Sequence, residues 1–233
     1  MTTAPGKLVT VEGIDGSGKH TQVRLLVEAL LSKGHRVFST GFPQYSSTFG
    51  KMVGQFLNGD FGPLHYVDPH FTALLYAGDR FESKGPIIAA LERGQVVIAD
   101  RYIASNLAHQ TARVAPEKRA AFRAWVEQLE YGIYGLPKED LVLYLRVPPV
   151  EAQSLVAKKS ARAYTDFAHD ILEADLRHLQ DATEMYDQLS QRANWKVIEC
   201  FDSAAHAMRT PEQISRDILA ATQLVLPSLQ EKR

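Results

Sequence analysis

Seven consecutive residues, Gly13-Ile14-Asp15-Gly16-Ser17-Gly18-Lys19, carry the spacing G-x-x-x-x-G-K. That spacing suits a loop whose backbone N–H groups turn inward around a phosphate. Glycine permits the positive φ values and the close approach, the following helix N-terminus adds partial positive charge, and the lysine reaches the outer phosphates. The phosphate-binding set read here is Gly13, Asp15, Gly16, Ser17, Gly18, Lys19, His20 and Thr21. His20 stands where a Ser or Thr hydroxyl usually helps hold Mg²⁺ beside a nucleoside triphosphate. Imidazole is a poor ligand for a hard cation, so the expectation is a solvent-facing His20, with Mg²⁺ held by phosphates, waters and a carboxylate. Asp100 supplies that carboxylate: Val96-Val97-Ile98-Ala99-Asp100 is an apolar run ending in Asp, the pattern of a Walker B element. At a strand's C-terminal end it would lie beside the phosphate loop and hold the ion through water.

These groups need a scaffold. Leu8–Val11 reads as a strand entering the phosphate loop. Val23, Leu26, Val27 and Leu30 follow at helical spacing, and Gly34 is placed to end that helix. Val37–Thr40, Val96–Ala99, Leu141–Val147 and Lys196–Glu199 are further strand-like runs, the second preceded by a helix through Ile87, Ile88 and Leu91 that closes at Arg93-Gly94. Asp68-Pro69 reads as an N-cap with Pro at N1, and Thr210-Pro211-Glu212-Gln213 as a capping box. Strands that are continuously apolar rather than alternating, with helices between them, predict an α/β fold with a parallel sheet buried on both faces. Residues 157–169 form the most polar stretch, expected to be a mobile lid and not a domain boundary, so residues 1–233 are read as one domain.

Composition narrows the partners. The 26 Lys+Arg and 27 Asp+Glu give a net charge of −1, which disfavours a broad basic face for nucleic acid. Cys200, alone, makes no intrachain disulfide. No secretory signal and no apolar run near the roughly 18 residues of a membrane span is visible, so the expectation is a soluble, cytoplasmic protein that binds neither membrane nor nucleic acid.

Four motifs occur in order: Val11–Lys19, Phe42-Pro43-Gln44-Tyr45, Tyr76-Ala77-Gly78-Asp79-Arg80 and Asp100-Arg101-Tyr102-Ile103-Ala104-Ser105-Asn106. Together they resemble the thymidylate kinase family of P-loop nucleoside monophosphate kinases, over almost the whole chain. The resemblance implies a five-stranded parallel sheet of order 2-3-1-4-5, ATP and Mg²⁺ use, a place in dTTP biosynthesis, and a homodimer. It implies a dTMP site made of Asp15, Phe42, Tyr45, Tyr76, Arg80, Arg101, Ser105, Asn106, His109 and Gln110. Within it Asp15 orients Arg101 and holds the sugar end, Phe42 and Tyr45 line the monophosphate pocket, Arg101 meets the acceptor phosphate, Tyr76 stacks on the base, and Arg80 bonds a base carbonyl. Ser105 and Asn106 stand near the base. His109 occupies the place of a tyrosine associated with the deoxyribose in many members, with Gln110 beside it.

The chemistry expected is phosphoryl transfer, which needs positioning and charge neutralisation rather than a protein nucleophile. Lys19, Asp15, Arg101 and Arg162 are its catalytic candidates. Arg162, with Lys158 and Lys159 in the polar lid, supplies the extra cation because the x positions of the phosphate loop hold none. Adenine is expected near Asp202–Thr210. Two alternatives stay open: a P-loop kinase for another pyrimidine nucleotide or a deoxynucleoside, and a degenerate P-loop protein that binds nucleotide without turnover. A GTPase-like switch is disfavoured, since Asn-Lys-x-Asp occurs nowhere.

Overall fold

The structure is a computed structural model and describes residues 5–157, 172 and 175–226. Five strands, β1 (Lys7–Glu12), β2 (Val37–Gly41), β3 (Val96–Asp100), β4 (Leu141–Arg146) and β5 (Trp195–Glu199), form one sheet of order β2-β3-β1-β4-β5. Every pairing is parallel. β1, β3 and β4 are buried along nearly their whole length, which is why their sequences are apolar without alternation.

Nine α-helices connect and cover the strands: α1 (Lys19–Ser32), α2 (Thr48–Leu57), α3 (Pro69–Glu82), α4 (Lys84–Glu92), α5 (Ile103–Thr111), α6 (Arg119–Glu127), α7 (Pro149–Ala157), α8 (Leu176–Leu189) and α9 (Pro211–Gln223), counted among the described residues. A π-helical turn, Gln128–Ile133, continues from α6. The local signals act as expected. Asp68 accepts from His70 N with Pro69 at the first position of α3, and Thr210 and Gln213 close a reciprocal capping box on α9. Gly34 and Gly94 adopt the left-handed conformation behind α1 and α4.

Register brings three connections to one edge. Asp100 lies opposite both Val11 of β1 and Gly41 of β2, so the phosphate loop, the Arg101 turn and the Phe42 loop leave the sheet side by side. Backbone bonds from Arg101 N to Val11 O (3.0 Å) and from Phe42 N to Asp100 O (2.9 Å) hold the three together. A smaller apolar cluster of Val53, Phe56, Leu57, Val67, Leu75 and Leu172 joins α2 to α3 beside this edge.

The stretch after β5 is no plain loop. It is a two-stranded hairpin, β6 (Phe201–Asp202) with β7 (Ala207–Met208), whose turn is closed by Ala204 N and Ala205 N donating to Asp202 Oδ1. Of the expected lid, only Ala157 belongs to the described residues. Lys158, Lys159 and Arg162 lie outside them.

Candidate active site

The phosphate loop runs from β1 into α1 with Gly13, Gly16 and Gly18 at positive φ. A Cβ at Gly16 would stand 2.0 Å from Ala152 O, so the loop's tight seating on α7 admits glycine there. Lys19 is buried and folds back over the loop, donating to Gly13 O (2.9 Å) and Ile14 O (2.8 Å). His20 points outward, 94% of its side chain exposed, with Nδ1 3.7 Å from Asp100 Oδ2. Thr21 is half-buried in the first turn of α1. Asp100 ends β3 with its carboxylate partly open.

Beside the loop lies a cavity of about 540 Å³, its open mouth included. Asp15, Phe42, Tyr45, Tyr76, Arg80, Arg101, Ser105, Asn106, His109 and Gln110 all line it, and so do Pro43, Leu57 and Leu172, which sequence reading left out. Lys19 and Asp100 are not part of its wall.

Arg101 is the hinge between loop and cavity. Its backbone has φ 65, a left-handed conformation that costs a side-chain-bearing residue free energy and is held only where the surroundings overdetermine it. Its guanidinium pairs with Asp15 and donates to Gly13 O and Ser105 Oγ, each at 3.1 Å. Burial works against that charge, but Asp15, with Tyr186, Glu12 and Asp100 behind it, more than offsets the penalty and holds the pKa well above its ordinary value. Its ion-pair partner is Asp15 of the phosphate loop rather than the adjacent Asp100.

Under Arg101 sits Glu12, fully buried at the end of β1. It accepts from Tyr102 N (2.6 Å), Ser105 Oγ (2.6 Å) and Tyr186 OH (3.0 Å). Burial raises its pKa and these three donors, with Arg101, pull the other way. Glu12 therefore ties the start of the phosphate loop to α5 and α8. Glu12 closes β1 one residue past the apolar run Leu8–Val11 that marks the strand in the sequence, and nothing local names its partners.

Two carboxylates fix the far wall. Arg80, 1% exposed, donates from Nε and Nη2 to Glu130 at 2.6 and 2.7 Å. Glu130 Oε1 also accepts from Asn106 Nδ2 (2.8 Å), whose second bond goes to Ala73 O (3.0 Å). Both acceptors force the amide's orientation and leave Asn106 Oδ1 buried without a partner. Asp79, adjacent to Arg80, turns the other way. It accepts from Gln44 N (2.9 Å) and Ser47 Oγ (2.7 Å), anchoring the loop that carries Phe42 and Tyr45. Tyr76 is half-buried and meets Phe56 edge-on. Gln110 Oε1 accepts from Thr72 and Arg113, both at 2.7 Å.

A loop shaped for phosphates, adjoining a cavity with one arginine at the join and another at the far end, suits two anions brought end to end. The family model for thymidylate kinase matches residues 11–209. The chain belongs to the thymidylate kinase family. Thymidylate kinase from Homo sapiens is 30% identical over 234 residues, covering 100% of this chain and 97% of the human one. Thymidylate kinase from Mycobacterium tuberculosis is 32% identical over 197 residues, 82% of this chain and 90% of that one. Among solved structures, thymidylate kinase from Candida albicans superposes with a TM-score of 0.74 at 21% identity, covering 96% of this chain and 93% of that chain, and shows the same fold. Membership makes the chain a phosphotransferase of the nucleoside monophosphate kinase fold with sheet order 2-3-1-4-5. No described helix is long and apolar enough to cross a membrane.

Proposed function

We propose that this chain's reaction, ATP-dependent phosphorylation of dTMP to dTDP, takes place where the cavity meets the phosphate loop. The observation that carries the reading is the unpartnered Asn106 Oδ1 in a cavity wall that also holds Arg80. A buried acceptor without a donor costs roughly 1–3 kcal/mol until a ligand meets it. Thymine offers an N–H beside a carbonyl, so Asn106 Oδ1 accepts from the ring N–H while Arg80 donates to the carbonyl. Cytosine presents a bare ring nitrogen and an amino group there and mismatches both. Tyr76 supplies the stacking face.

Arg101 takes the acceptor phosphate, oriented by Asp15 and Ser105. Lys19 swings from Gly13 O and Ile14 O to the phosphates of ATP. The acceptor oxygen is already ionised, so no strong base is needed, and the protein's work is alignment and charge neutralisation. Asp100, one hard carboxylate at the loop's edge, fits a Mg²⁺ ion that keeps waters and phosphates as its other ligands. When bound, the ion neutralises charge on the transferring phosphates. The imidazole of His20 adds no oxygen to that set. Arg162, outside the described residues, is the further cation of this reading, and the hairpin at 201–208 borders the adenine end.

The five strands, drawn from residues 7 to 199, share one sheet, which supports reading residues 1–233 as a single kinase domain. A homodimer is supported by an apolar stripe on α3, where Phe71, Leu74 and Phe81 are 43%, 38% and 48% exposed. The location proposed is the cytoplasm.

Calorimetry tests the assignment of the base end. dTMP is expected to bind at least about a hundredfold more tightly than dCMP, because an unmatched buried polar pair rejects the wrong ligand strongly. Asn106→Leu should narrow the gap. Equal affinities in the unaltered protein would overturn the reading.

A further inference from the structure

The wall between the substrate cavity and a neighbouring cavity contains two imidazoles in contact. His109 lines the first, and His178, on the first turn of α8, lines the second. Both are buried, 6% and 5% exposed. His109 Nδ1 lies 3.3 Å from His178 Nε2, and His109 Nε2 lies 3.5 Å from Arg101 Nη1. Tyr186 packs edge-on against the His109 ring at 5.7 Å between centroids, so the ring cannot turn freely.

The donors fix the protons. A guanidinium only donates, so the His109 nitrogen facing Arg101 must present a lone pair. The single proton of a neutral His109 is then on Nδ1, where it donates to His178 Nε2. His178 in turn must keep its own proton on Nδ1. Both Nη1 hydrogens already go to Gly13 O and Ser105 Oγ, so the 3.5 Å approach to His109 is a contact between the guanidinium cation and the Nε2 lone pair, and it leaves Nδ1–H of His109 to donate to Nε2 of His178. The opposite tautomer of His109 would point N–H at N–H. Burial first, and then Arg101 and His178, hold the His109 pKa well below its ordinary value, against Asp15 and alongside Lys19. Burial and Arg113 lower His178 to about 4, against Asp175, Asp15 and Asp181. Both rings are therefore neutral near pH 7, as the relay requires.

We propose that His178 is a positioning residue for the kinase reaction: by accepting from His109 Nδ1 it keeps the His109 Nε2 lone pair facing Arg101, and so steadies the guanidinium that receives the acceptor phosphate. The inference rests on the reading of Arg101 as the acceptor-phosphate arginine. The chain-distant His178 acts only through His109, and nothing in the sequence pattern pairs the two.

Heteronuclear NMR on ¹⁵N-imidazole-labelled, nucleotide-free enzyme reads which ring nitrogen of His109 carries the proton. The expected result is Nδ1–H with a bare Nε2, and a growing Nε2–H population in His178→Leu. In that variant kcat/KM for dTMP should fall about tenfold, mainly through KM, since one lost buried acceptor is worth about one to two kcal/mol. His178→Gln, whose Oε1 can accept from Nδ1–H, should stay within about threefold of the unaltered enzyme. In a His109→Tyr background, His178→Leu should add no further loss. Nε2–H on His109 in the unaltered enzyme would overturn the proposal. So would unchanged kinetics in a folded His178→Leu, or equal losses for Leu and Gln, which would mean packing alone. If His178→Leu does not fold, the tautomer measurement and the Gln variant decide. If the cavity does not take dTMP, the unaltered enzyme shows no dTMP turnover while the tautomer remains readable, so the two failures are distinguishable.

Discussion

Glu130→Gln removes one buried charge with little change of shape, and its consequences can be worked from the contacts. Glu130 is 0% and Arg80 1% exposed, and the carboxylate accepts two bonds from Arg80 and one from Asn106. A glutamine amide must set its NH₂ against either Arg80 Nε or the Arg80 Nη2 and Asn106 Nδ2 pair, donor against donor. It also leaves a guanidinium charge uncompensated in the interior, which costs about 3–5 kcal/mol. In a chain of this size that predicts a fall in Tm of roughly 6–20 °C. By contrast Arg146–Asp187, with side chains 44% and 38% exposed, should give less than about 1 kcal/mol when Asp187 becomes Asn. Thermal melts monitored by circular dichroism, paired with KM for dTMP, form the assay. Arg80→Met combined with Glu130→Leu should recover most of the stability, because a well-packed apolar pair replaces a buried ion pair at little net cost. It should not recover dTMP binding, since the base has lost its donor. A Tm within about 2 °C of the unaltered protein for Glu130→Gln would refute the buried-charge reasoning. A double variant with normal KM for dTMP would remove Arg80 from the substrate site.

Arg162→Ala should lower kcat at least tenfold with an unaltered melt, read in a coupled assay at saturating ATP and dTMP; an unchanged kcat takes Arg162 out of the reaction. Glu139 is buried beside Tyr131, whose hydroxyl donates to it at 2.7 Å, and burial lifts its pKa to about 7. A pKa raised on folding contributes stability that is whole below about pH 4.5 and is lost as the pH rises through 7. Glu139→Gln keeps an acceptor for Tyr131 and does not titrate. Its advantage over the unaltered protein should therefore grow between pH 5 and pH 8, by on the order of 2–3 kcal/mol, in paired denaturant titrations. Parallel pH dependences for the two proteins would contradict the assignment.

The parts of the site that were legible in the sequence are those whose chemistry is local. Gly13, Gly16 and Gly18 mark a backbone shape, Lys19 and Asp100 sit at element ends, and Asp68, Gly34 and Thr210 punctuate helices within a few residues of themselves. The dTMP-side residues came from resemblance in order, and the fold gathers them because β1, β2 and β3 end together. What stayed hidden were partners across the fold. Glu130 reaches Arg80 from a π-helical turn 50 residues on. Asp79 and Asp100 stand next to Arg80 and Arg101 in sequence, yet the arginines' ion-pair partners are Glu130 and Asp15, both distant in the chain. Glu12 stood in the sequence only as one residue of the Val11–Lys19 motif, with no sign of its partners on α5 and α8. His178 gave no signal, because its meaning lies in one contact with His109.

The most direct test of the account is kcat/KM in a coupled Mg²⁺-ATP assay across dTMP, dUMP, dGMP, UMP and thymidine. The cavity's donor and acceptor pair, its apolar wall and Arg101 predict dTMP as the best acceptor, dUMP weaker for want of a methyl group, dGMP well below both, and thymidine at background. Activity confined to thymidine, or ATP binding with no turnover on any acceptor, would contradict it.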